Sequence, residues 1–227
     1  GNYHARTARL YTDYGLLTCD EALGRDAARV FQLLTSLGQV KALSKMLQSP
    51  FTLHKKVIEK IKREAANARA GKAARIIVKC NALIEPETIE ALYQASQDGV
   101  RIDCIIRGVC CLRPGVPGVS DNIHVRSIVG RFLEHTRVFY FHNEGDFDLY
   151  LSSADWMGRN FFQRVETAFP VADRKIRQRI LKDGLELYLA DNTDAWVLQT
   201  DGEYKRRVPV GKQRPHSAQS SLMSRKP

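Results

Sequence analysis

The most regular part of the chain alternates strand-like apolar runs with an amphipathic helix. Buried strands are predicted over Arg75–Lys79 and Val100–Arg107. Between them, Glu85-Pro86-Glu87 places proline in the first turn of a helix and acidic residues near its N-terminus, and Asp98-Gly99 ends the helix. A strand, a helix and a strand in this order form a parallel pair joined by a right-handed crossover. The pattern therefore predicts an α/β fold.

Similar patterns predict further elements on both sides of this unit. Apolar residues at helical spacing predict helices over Asp20–Leu37, about Thr52–Ala70 and Asp173–Leu189. Strand-like runs occupy Tyr14–Thr18, Ile123–Val129, Val165–Val171 and Thr193–Leu198. The outer face of the second helix is basic, which is typical of a solvated amphipathic helix.

The stretch Arg131–Arg164 combines apolar runs with polar groups suited to binding phosphate. Its runs Val138–Phe141 and Leu149–Leu151, joined by a turn-like Asn143-Glu144-Gly145-Asp146, predict a β-hairpin. The polar residues flank the open end of this hairpin: His135, Arg137, Ser152, Ser153 and Asp155, with Arg159, Asn160 and Arg164 following. An imidazole, guanidinium groups and hydroxyls converging on one point favour a phosphate ligand.

Two more candidate residues follow the strands of the predicted parallel pair. Arg107 ends the second strand and Asn81 follows the first. Ligands of open α/β sheets bind beyond the carboxyl ends of the strands. The long segment Gly108–Asn122 then forms a loop, which is compatible with either a functional loop or a plain connector.

Composition and charge narrow the class of partner. The formal net charge is +10 and the pI about 9.5, which favours an anionic partner such as nucleic acid, nucleotide, polyphosphate or a membrane surface. Part of this charge lies in a basic, Ser- and Gln-rich C-terminus, predicted to be a flexible tail over residues 210–227. No apolar run is long enough to span a membrane. The five cysteines lack metal-ligand spacing and favour a reduced, cytoplasmic protein.

The pattern of elements breaks near Ser49-Pro50, where we place a domain boundary. Residues 1–49 form one unit, residues 50–209 a second, and residues 210–227 the tail. The chain opens on Gly1-Asn2-Tyr3 without an initiator methionine, so we expect a fragment of a longer protein.

Long stretches of the sequence resemble polyphosphate kinase, the ATP-dependent enzyme that makes inorganic polyphosphate. The resemblance runs from Gly1 to about Pro209. The stretches that carry it are Gly1-Asn2-Tyr3 through Asp13, Asn81-Ala82-Leu83, Ile106-Arg107-Gly108, Leu112-Arg113-Pro114-Gly115, Ser127-Ile128-Val129, Arg131–His135 and Leu151–Arg159.

This resemblance implies a phospholipase-D-like mixed sheet flanked by helices, preceded by the C-terminal remnant of a similar domain. In the family, a histidine of the first domain takes the γ-phosphoryl group of ATP and passes it to polyphosphate. That histidine belongs to a His-x-Lys motif upstream of Gly1, so the phosphohistidine is missing from this chain. The arginines that the family links to Mg²⁺ are also expected upstream, and no metal ligand is assigned here.

Five residues match positions to which the family gives a role. Tyr11 matches a nucleotide-binding tyrosine, Arg107 a nucleotide-phosphate arginine and His135 the histidine of the second domain. Arg164 matches an arginine near phosphate, and Asn2 the asparagine of the first-domain motif. Phospholipase D has lysine two residues after its histidine where this chain has Arg137, which favours a supporting role for His135.

The implied partners are ATP or ADP, inorganic polyphosphate and the rest of the kinase chain, in a homo-oligomer when full length, with no specific nucleic acid. The implied location is cytoplasmic, with membrane association left open. Two alternatives are a phospholipase-D-like phosphodiesterase and a non-catalytic polyanion-binding module. The first would need two His-x-Lys motifs. The second would bind polyanions through the basic tail.

Overall fold

The structure, a computed structural model, describes residues 4–35 and 43–224. The N-terminal part holds a short strand, β1 (Tyr11–Thr12), and a helix, α1 (Glu21–Leu34). The Asp20 carboxylate caps α1 by accepting from the backbone N–H groups of Ala22 and Leu23. The predicted helix is confirmed, whereas the predicted strand Tyr14–Thr18 is wrong: those residues form no regular element.

A nine-stranded sheet forms the centre of the molecule. In chain order, its first elements are β2 (Leu47–Gln48), α2 (Leu53–Arg69), β3 (Arg75–Cys80), α3 (Pro86–Gln97), β4 (Arg101–Ile106) and β5 (Ile123–Ile128). Because β2 already belongs to this sheet, the sheet begins before the Ser49-Pro50 boundary predicted from the sequence.

The second half of the chain supplies the other strands and a second layer of helices. Its elements are β6 (Leu133–Glu134), β7 (Arg137–Phe141), β8 (Asp148–Ser152), α4 (Gly158–Phe162), β9 (Thr167–Pro170), α5 (Arg174–Ile180), α6 (Leu187–Ala190), β10 (Ala195–Leu198), β11 (Tyr204–Arg206) and α7 (Ala218–Met223). A π-helical segment, Leu181–Glu186, joins α5 to α6.

The sheet is mixed, as the predicted fold class requires. Its strand order is β11-β10-β5-β4-β3-β7-β8-β9-β2. The three adjacent strands β3, β4 and β5 run parallel, and every other pairing in this sheet is antiparallel. The strand–helix–strand prediction for β3, α3 and β4 is thus confirmed. The remaining two strands, β1 and β6, form a separate parallel pair.

Helices cover both faces of the sheet. On one face α2 and α3 pack on β3, β4 and β7, with Leu53, Ile61 and Leu92 fully buried. On the other face Leu185 and Tyr188 of the α5–α6 layer pack against the opposite side of the same strands. This sandwich leaves the carboxyl ends of the parallel strands as the edge where loops meet.

The C-terminal segment corrects one sequence prediction. The region expected to be a flexible tail contains helix α7, and its residues Ala218 and Gln219 are buried. Asp191 accepts a hydrogen bond from the Ala218 N–H at 2.7 Å, and Asp194 accepts one from the Ser217 hydroxyl at 2.6 Å. These carboxylates hold a segment whose own apolar content is too low to predict order.

None of the described helices is both long and apolar enough to cross a bilayer.

Candidate functional site

The loops after the first two parallel strands lie in contact with each other. The backbone N–H of Gly108 donates to the Asn81 carbonyl at 2.9 Å, and the Arg107 N–H donates to the Cys80 carbonyl at 3.2 Å. A Cβ atom at Gly108 would lie 3.1 Å from that Asn81 carbonyl oxygen, so glycine permits the close approach. Asn81 and Arg107 are therefore neighbours, as the carboxyl-end rule predicts.

The β7–β8 hairpin brings its polar ends together, which confirms the predicted hairpin. In the antiparallel register, Arg137 lies directly opposite Ser152. The Arg137 guanidinium forms an ion pair with Asp155, with Nε donating to Oδ1 at 3.1 Å and a terminal nitrogen donating to Oδ2 at 3.3 Å. A second terminal nitrogen donates to the backbone carbonyl of His135 at 2.9 Å.

The His135 imidazole lies between a carboxylate and a guanidinium. Its Nδ1 is 3.0 Å from the Asp13 carboxylate and its Nε2 is 3.0 Å from a terminal nitrogen of Arg137. Because arginine can only donate, the arrangement that satisfies both ring nitrogens has Nδ1–H donating to Asp13 and Nε2 accepting from Arg137. In this arrangement Nε2 is an acceptor, and it can donate to a ligand only after Arg137 has moved away.

Two further candidate residues approach His135 from other segments. The Tyr11 ring lies 5.2 Å from the His135 ring, centroid to centroid, at an interplanar angle of 57°. The Arg107 guanidinium donates to the carbonyl oxygen of Glu134, the residue before His135, at 3.0 Å. Asn81 reaches the same carbonyl, with Nδ2 donating at 2.9 Å in the amide orientation that satisfies both of its ends.

A cavity of about 370 Å³ opens beside this cluster. Its polar lining includes Asp13, His135, Arg137, Ser152 and Ser153, and its apolar lining includes Leu151 and Phe169. Arg107 contacts the backbone next to this cavity and does not line it. A cavity of this size with an imidazole, a guanidinium and hydroxyls in its wall can hold one or more phosphate groups.

The structure does not bring every predicted residue to the cavity. Arg164 is exposed on the turn after α4, and its backbone N–H donates to the Arg159 carbonyl. That turn adjoins the cavity through Glu166, which accepts hydrogen bonds from Ser153 and Asn160. Asn2 lies outside the described residues.

A buried ion pair beneath His135 was missed by sequence reasoning. Lys79 Nζ lies 2.8 Å from the Glu134 carboxylate and 3.4 Å from the centre of the Tyr188 ring, and both charged side chains are almost fully buried. Burial lowers the pKa of Lys79, against the opposing effect of Glu134. The available signal was a lysine inside an otherwise apolar strand, since such a lysine is rarely buried without a partner.

Metal binding has no support among residues 4–35 and 43–224. No group of three or more histidine, cysteine, aspartate or glutamate side chains there is arranged to hold a metal ion. Two carboxylates of the site, Asp13 and Asp155, are held by His135 and Arg137 respectively.

The comparisons with known proteins point to the same family. The family model described as polyphosphate kinase C-terminal domain 2 matches residues 46–219, and the one described as C-terminal domain 1 matches residues 1–40. Polyphosphate kinase from Pseudomonas aeruginosa is 58% identical over 225 residues, covering 99% of this chain and 32% of the relative. The enzyme from Burkholderia multivorans is 60% identical over 207 residues, covering 91% and 30%.

One solved structure of the family agrees with this assignment. The crystal structure of polyphosphate kinase from Porphyromonas gingivalis matches 98% of this chain and 34% of that chain, with a TM-score of 0.93 and 36% sequence identity. Nuc from Salmonella typhimurium, a phospholipase D family member, matches 71% of this chain with a TM-score of 0.48 and 14% identity, too distant to bear on function. The chain spans about a third of the length of the kinases it matches. It belongs to the polyphosphate kinase family and corresponds to that family's C-terminal domains.

Proposed function

We propose that this chain forms one side of the active site of a kinase that reversibly transfers the γ-phosphate of ATP to inorganic polyphosphate. The observation that carries the proposal is the chain of contacts Asp13–His135–Arg137–Asp155 in the wall of the cavity. It holds an imidazole and a guanidinium in fixed positions beside a space large enough for phosphate. The proposal is also supported by the similarity of the chain to proteins named polyphosphate kinase.

The charges of these residues suit phosphoryl transfer. In such reactions negative charge spreads over the oxygens of the transferred group, and catalysis consists mostly of placement and electrostatic stabilisation. Arg137 is held by Asp155 and can turn one terminal nitrogen from His135 towards a phosphate oxygen. His135, freed at Nε2, can then take up a proton or donate a hydrogen bond to the same phosphate.

Tyr11 and Arg107 are proposed to hold the nucleotide. Tyr11 presents a half-buried ring next to His135, where a base or ribose can pack. Arg107 is fixed at one terminal nitrogen by the Glu134 carbonyl, and the remaining guanidinium N–H groups are donors for phosphate oxygens. Arg164 is proposed to contact phosphate only at the outer rim, since it is exposed.

The covalent step needs a residue from outside this chain. In the proposed reaction, a histidine nitrogen of the preceding domain attacks the γ-phosphorus, the bond to the β-phosphate oxygen breaks and ADP leaves. A terminal oxygen of polyphosphate then takes the phosphoryl group and the P–N bond breaks. We propose residues 1–49 as the end of that first phospholipase-D-like domain and residues 50–209 as the second. Mg²⁺ and homo-oligomer formation are assigned to the rest of the protein.

The two alternative functions are not favoured. A phosphodiesterase of the phospholipase D type needs a second His-x-Lys motif, and Arg137 stands where that motif has lysine. The polyanion-binding module rested on the net charge and a flexible basic tail, whereas residues 218–223 of that tail form helix α7.

The direct test uses the complete kinase. Arg107→Ala should raise the KM for ATP by about tenfold or more, because a hydrogen bond to a charged group contributes about 1.5–3 kcal/mol. Arg174→Ala, an exposed arginine on α5, is the matched control and should leave the KM unchanged. Unaltered kinetics in Arg107→Ala, in both the synthetic and the reverse direction, would contradict the proposal.

A further inference from the structure

The Glu134 carboxylate joins four separate segments of the chain. It accepts from Lys79 Nζ at 2.8 Å, from the Thr12 hydroxyl at 2.8 Å and from Gln219 Nε2 at 2.6 Å. It also hydrogen-bonds to the Tyr188 side chain. Glu134 itself is 4% exposed. Strands β1 and β3, helix α6 and helix α7 therefore meet at one buried carboxylate.

The same residue is tied to the candidate site through its backbone. The carbonyl of Glu134 accepts from Arg107 at 3.0 Å. The next backbone N–H, that of His135, donates to the Thr12 hydroxyl at 3.3 Å, and Thr12 is bound in turn to the Glu134 carboxylate. A shift of Glu134 would thus move Arg107 and His135 together.

Gln219 holds the segment that leads to His135. Its Oε1 accepts from the Phe132 N–H at 2.9 Å, and its Nε2 donates to the Phe132 carbonyl at 2.9 Å and to Glu134. The amide therefore binds this segment as a neighbouring strand would. A Cβ atom at Gly130 would lie 2.5 Å from Gln219 Oε1, so the backbone passes as close as glycine allows.

Stability alone is a weak reason for such an arrangement. The desolvation free energy of burying an ion pair offsets much of the attraction between its two charges. Apolar residues of similar size often stabilise a fold equally well. Buried polar networks instead fix one arrangement among several. This network lies directly beneath His135 and beside Arg107, which are the residues whose placement matters for the proposed reaction.

We propose that Glu134 and Gln219 are positioning residues that hold Arg107 and His135 in place. Helix α7, which carries Gln219, is then required for the geometry of the nucleotide and phosphate site. The proposal rests on the function proposed above. Lys79 neutralises the charge of Glu134, and Gln219 fixes the strand before His135. Thr12, which follows Tyr11 in β1, binds the Glu134 carboxylate and so holds β1 in place beside that strand. Neither Glu134 nor Gln219 touches the substrate.

The first test substitutes Gln219 in the complete kinase. Gln219→Ala should lower kcat/KM for ATP by about tenfold or more at temperatures well below the unfolding midpoint, because small displacements of reacting groups cost large factors in rate. Ser220→Ala, the exposed next residue on α7, should retain full activity. Backbone hydrogen exchange should accelerate at residues 131–135 in Gln219→Ala and not in Ser220→Ala.

A second test separates positioning from stability. Glu134→Leu and Lys79→Met each leave one buried charge alone and should lower the unfolding midpoint. The double variant removes both charges and should regain much of that midpoint, while kcat/KM stays low because Thr12, Gln219 and Tyr188 have lost their common acceptor. Recovery of both the midpoint and kcat/KM in the double variant would overturn the positioning role.

The outcomes also separate this proposal from the proposed function. If Arg107→Ala and His135→Ala impair the kinase while Gln219→Ala does not, the positioning role is wrong and the proposed function stands. If Arg107→Ala and His135→Ala have no effect, the proposed function is wrong and the positioning role fails with it.

Discussion

The Nδ1 atom of His135 lies 3.0 Å from the carboxylate of Asp13, although 122 residues separate the two in the chain. This contact fixes the imidazole tautomer, because the Nδ1 proton is held by the carboxylate and the lone pair of Nε2 faces Arg137. The carboxylate also stabilises positive charge on the ring once Arg137 turns away. Asp13 is therefore as much a part of the candidate site as the residues that the sequence pointed to.

Replacing His135 by alanine in the complete kinase should depress turnover by about 10²-fold or more in both directions, as expected for loss of an acid–base or hydrogen-bonding group. The fold should persist, because the His135 side chain is only partly buried. His124→Ala, an exposed histidine on β5, serves as the control. Steady-state kinetics and circular dichroism of both variants provide the check. Equal turnover in the two variants would remove His135 from the mechanism.

Replacing Arg137 by lysine tests the geometry of the guanidinium. Arginine reaches Asp155 and His135 with different nitrogens, and a single ammonium cannot reproduce this span. Arg137→Lys should therefore lower kcat about tenfold while keeping a counter-charge for Asp155.

Arg137→Met should behave differently in a stability assay. It leaves the largely buried Asp155 without its ion-pair partner, which costs about 3–5 kcal/mol. Denaturant unfolding should rank the wild type above Arg137→Lys and Arg137→Met last. A lysine variant with full activity would show that charge alone suffices at this position.

The chain on its own should make no polyphosphate from ATP. The proposed covalent step uses a histidine of the first domain, which the family resemblance implies lies upstream of Gly1. Incubation of the purified chain with labelled ATP, followed by separation of long phosphate polymers, measures this directly. Robust synthesis by the chain alone would show that the nucleophile lies within these 227 residues.

Asp26 should make the N-terminal helix sensitive to acid. Burial raises the pKa of this carboxyl, but hydrogen bonds from the backbone N–H groups of Ser44, Lys45 and Met46 outweigh it, so the pKa falls below its ordinary 3.8. A lowered folded-state pKa stabilises the fold above pH 3.8, and this contribution is lost as the pH falls through the folded-state value.

The variant Asp26→Asn shows this pH dependence. At pH 7 it should unfold at a lower temperature than the wild type, because its amide is neutral and offers one acceptor oxygen where the carboxylate offers two. The difference should shrink as the pH falls below 3.8 and through the lower folded-state pKa, where the carboxyl of the folded wild type also becomes neutral. A difference that stays constant with pH would mean that the charge of Asp26 plays no part.

Local sequence patterns were sufficient to predict the helices and strands that surround the site. Periodicity placed β3, α3 and β4, and the turn residues placed the β7–β8 hairpin, because both signals come from neighbours in sequence. Because ligands bind beyond the carboxyl ends of parallel strands, the sequence also predicted that Arg107 and Asn81 lie near each other. The polar residues at the end of the hairpin included His135, and the family resemblance added Tyr11, which the structure brings into contact with His135.

The residues that hold the site together were not predictable in this way. Asp13, Glu134 and Gln219 are polar residues whose partners described above lie more than 50 positions away in the chain, so no local pattern marks them. Helix α7 was misjudged for the same reason. Its order comes from hydrogen bonds to Asp191, Asp194 and the segment before His135, and its sequence alone resembles a disordered tail.

The parallel pairing of β1 with β6 makes the site depend on a register of only two residue pairs. Tyr11 lies opposite Leu133 and Thr12 opposite Glu134, and the two strands belong to regions matched by different domains of the family. Side chains alternate along a strand, so a slip by one residue would turn Thr12 away from Glu134 and Tyr11 away from His135. Insertions or deletions between Tyr11 and Asp13 should therefore be far less tolerated than changes of length elsewhere on the surface, and grafting either domain onto a foreign partner would have to preserve this alignment.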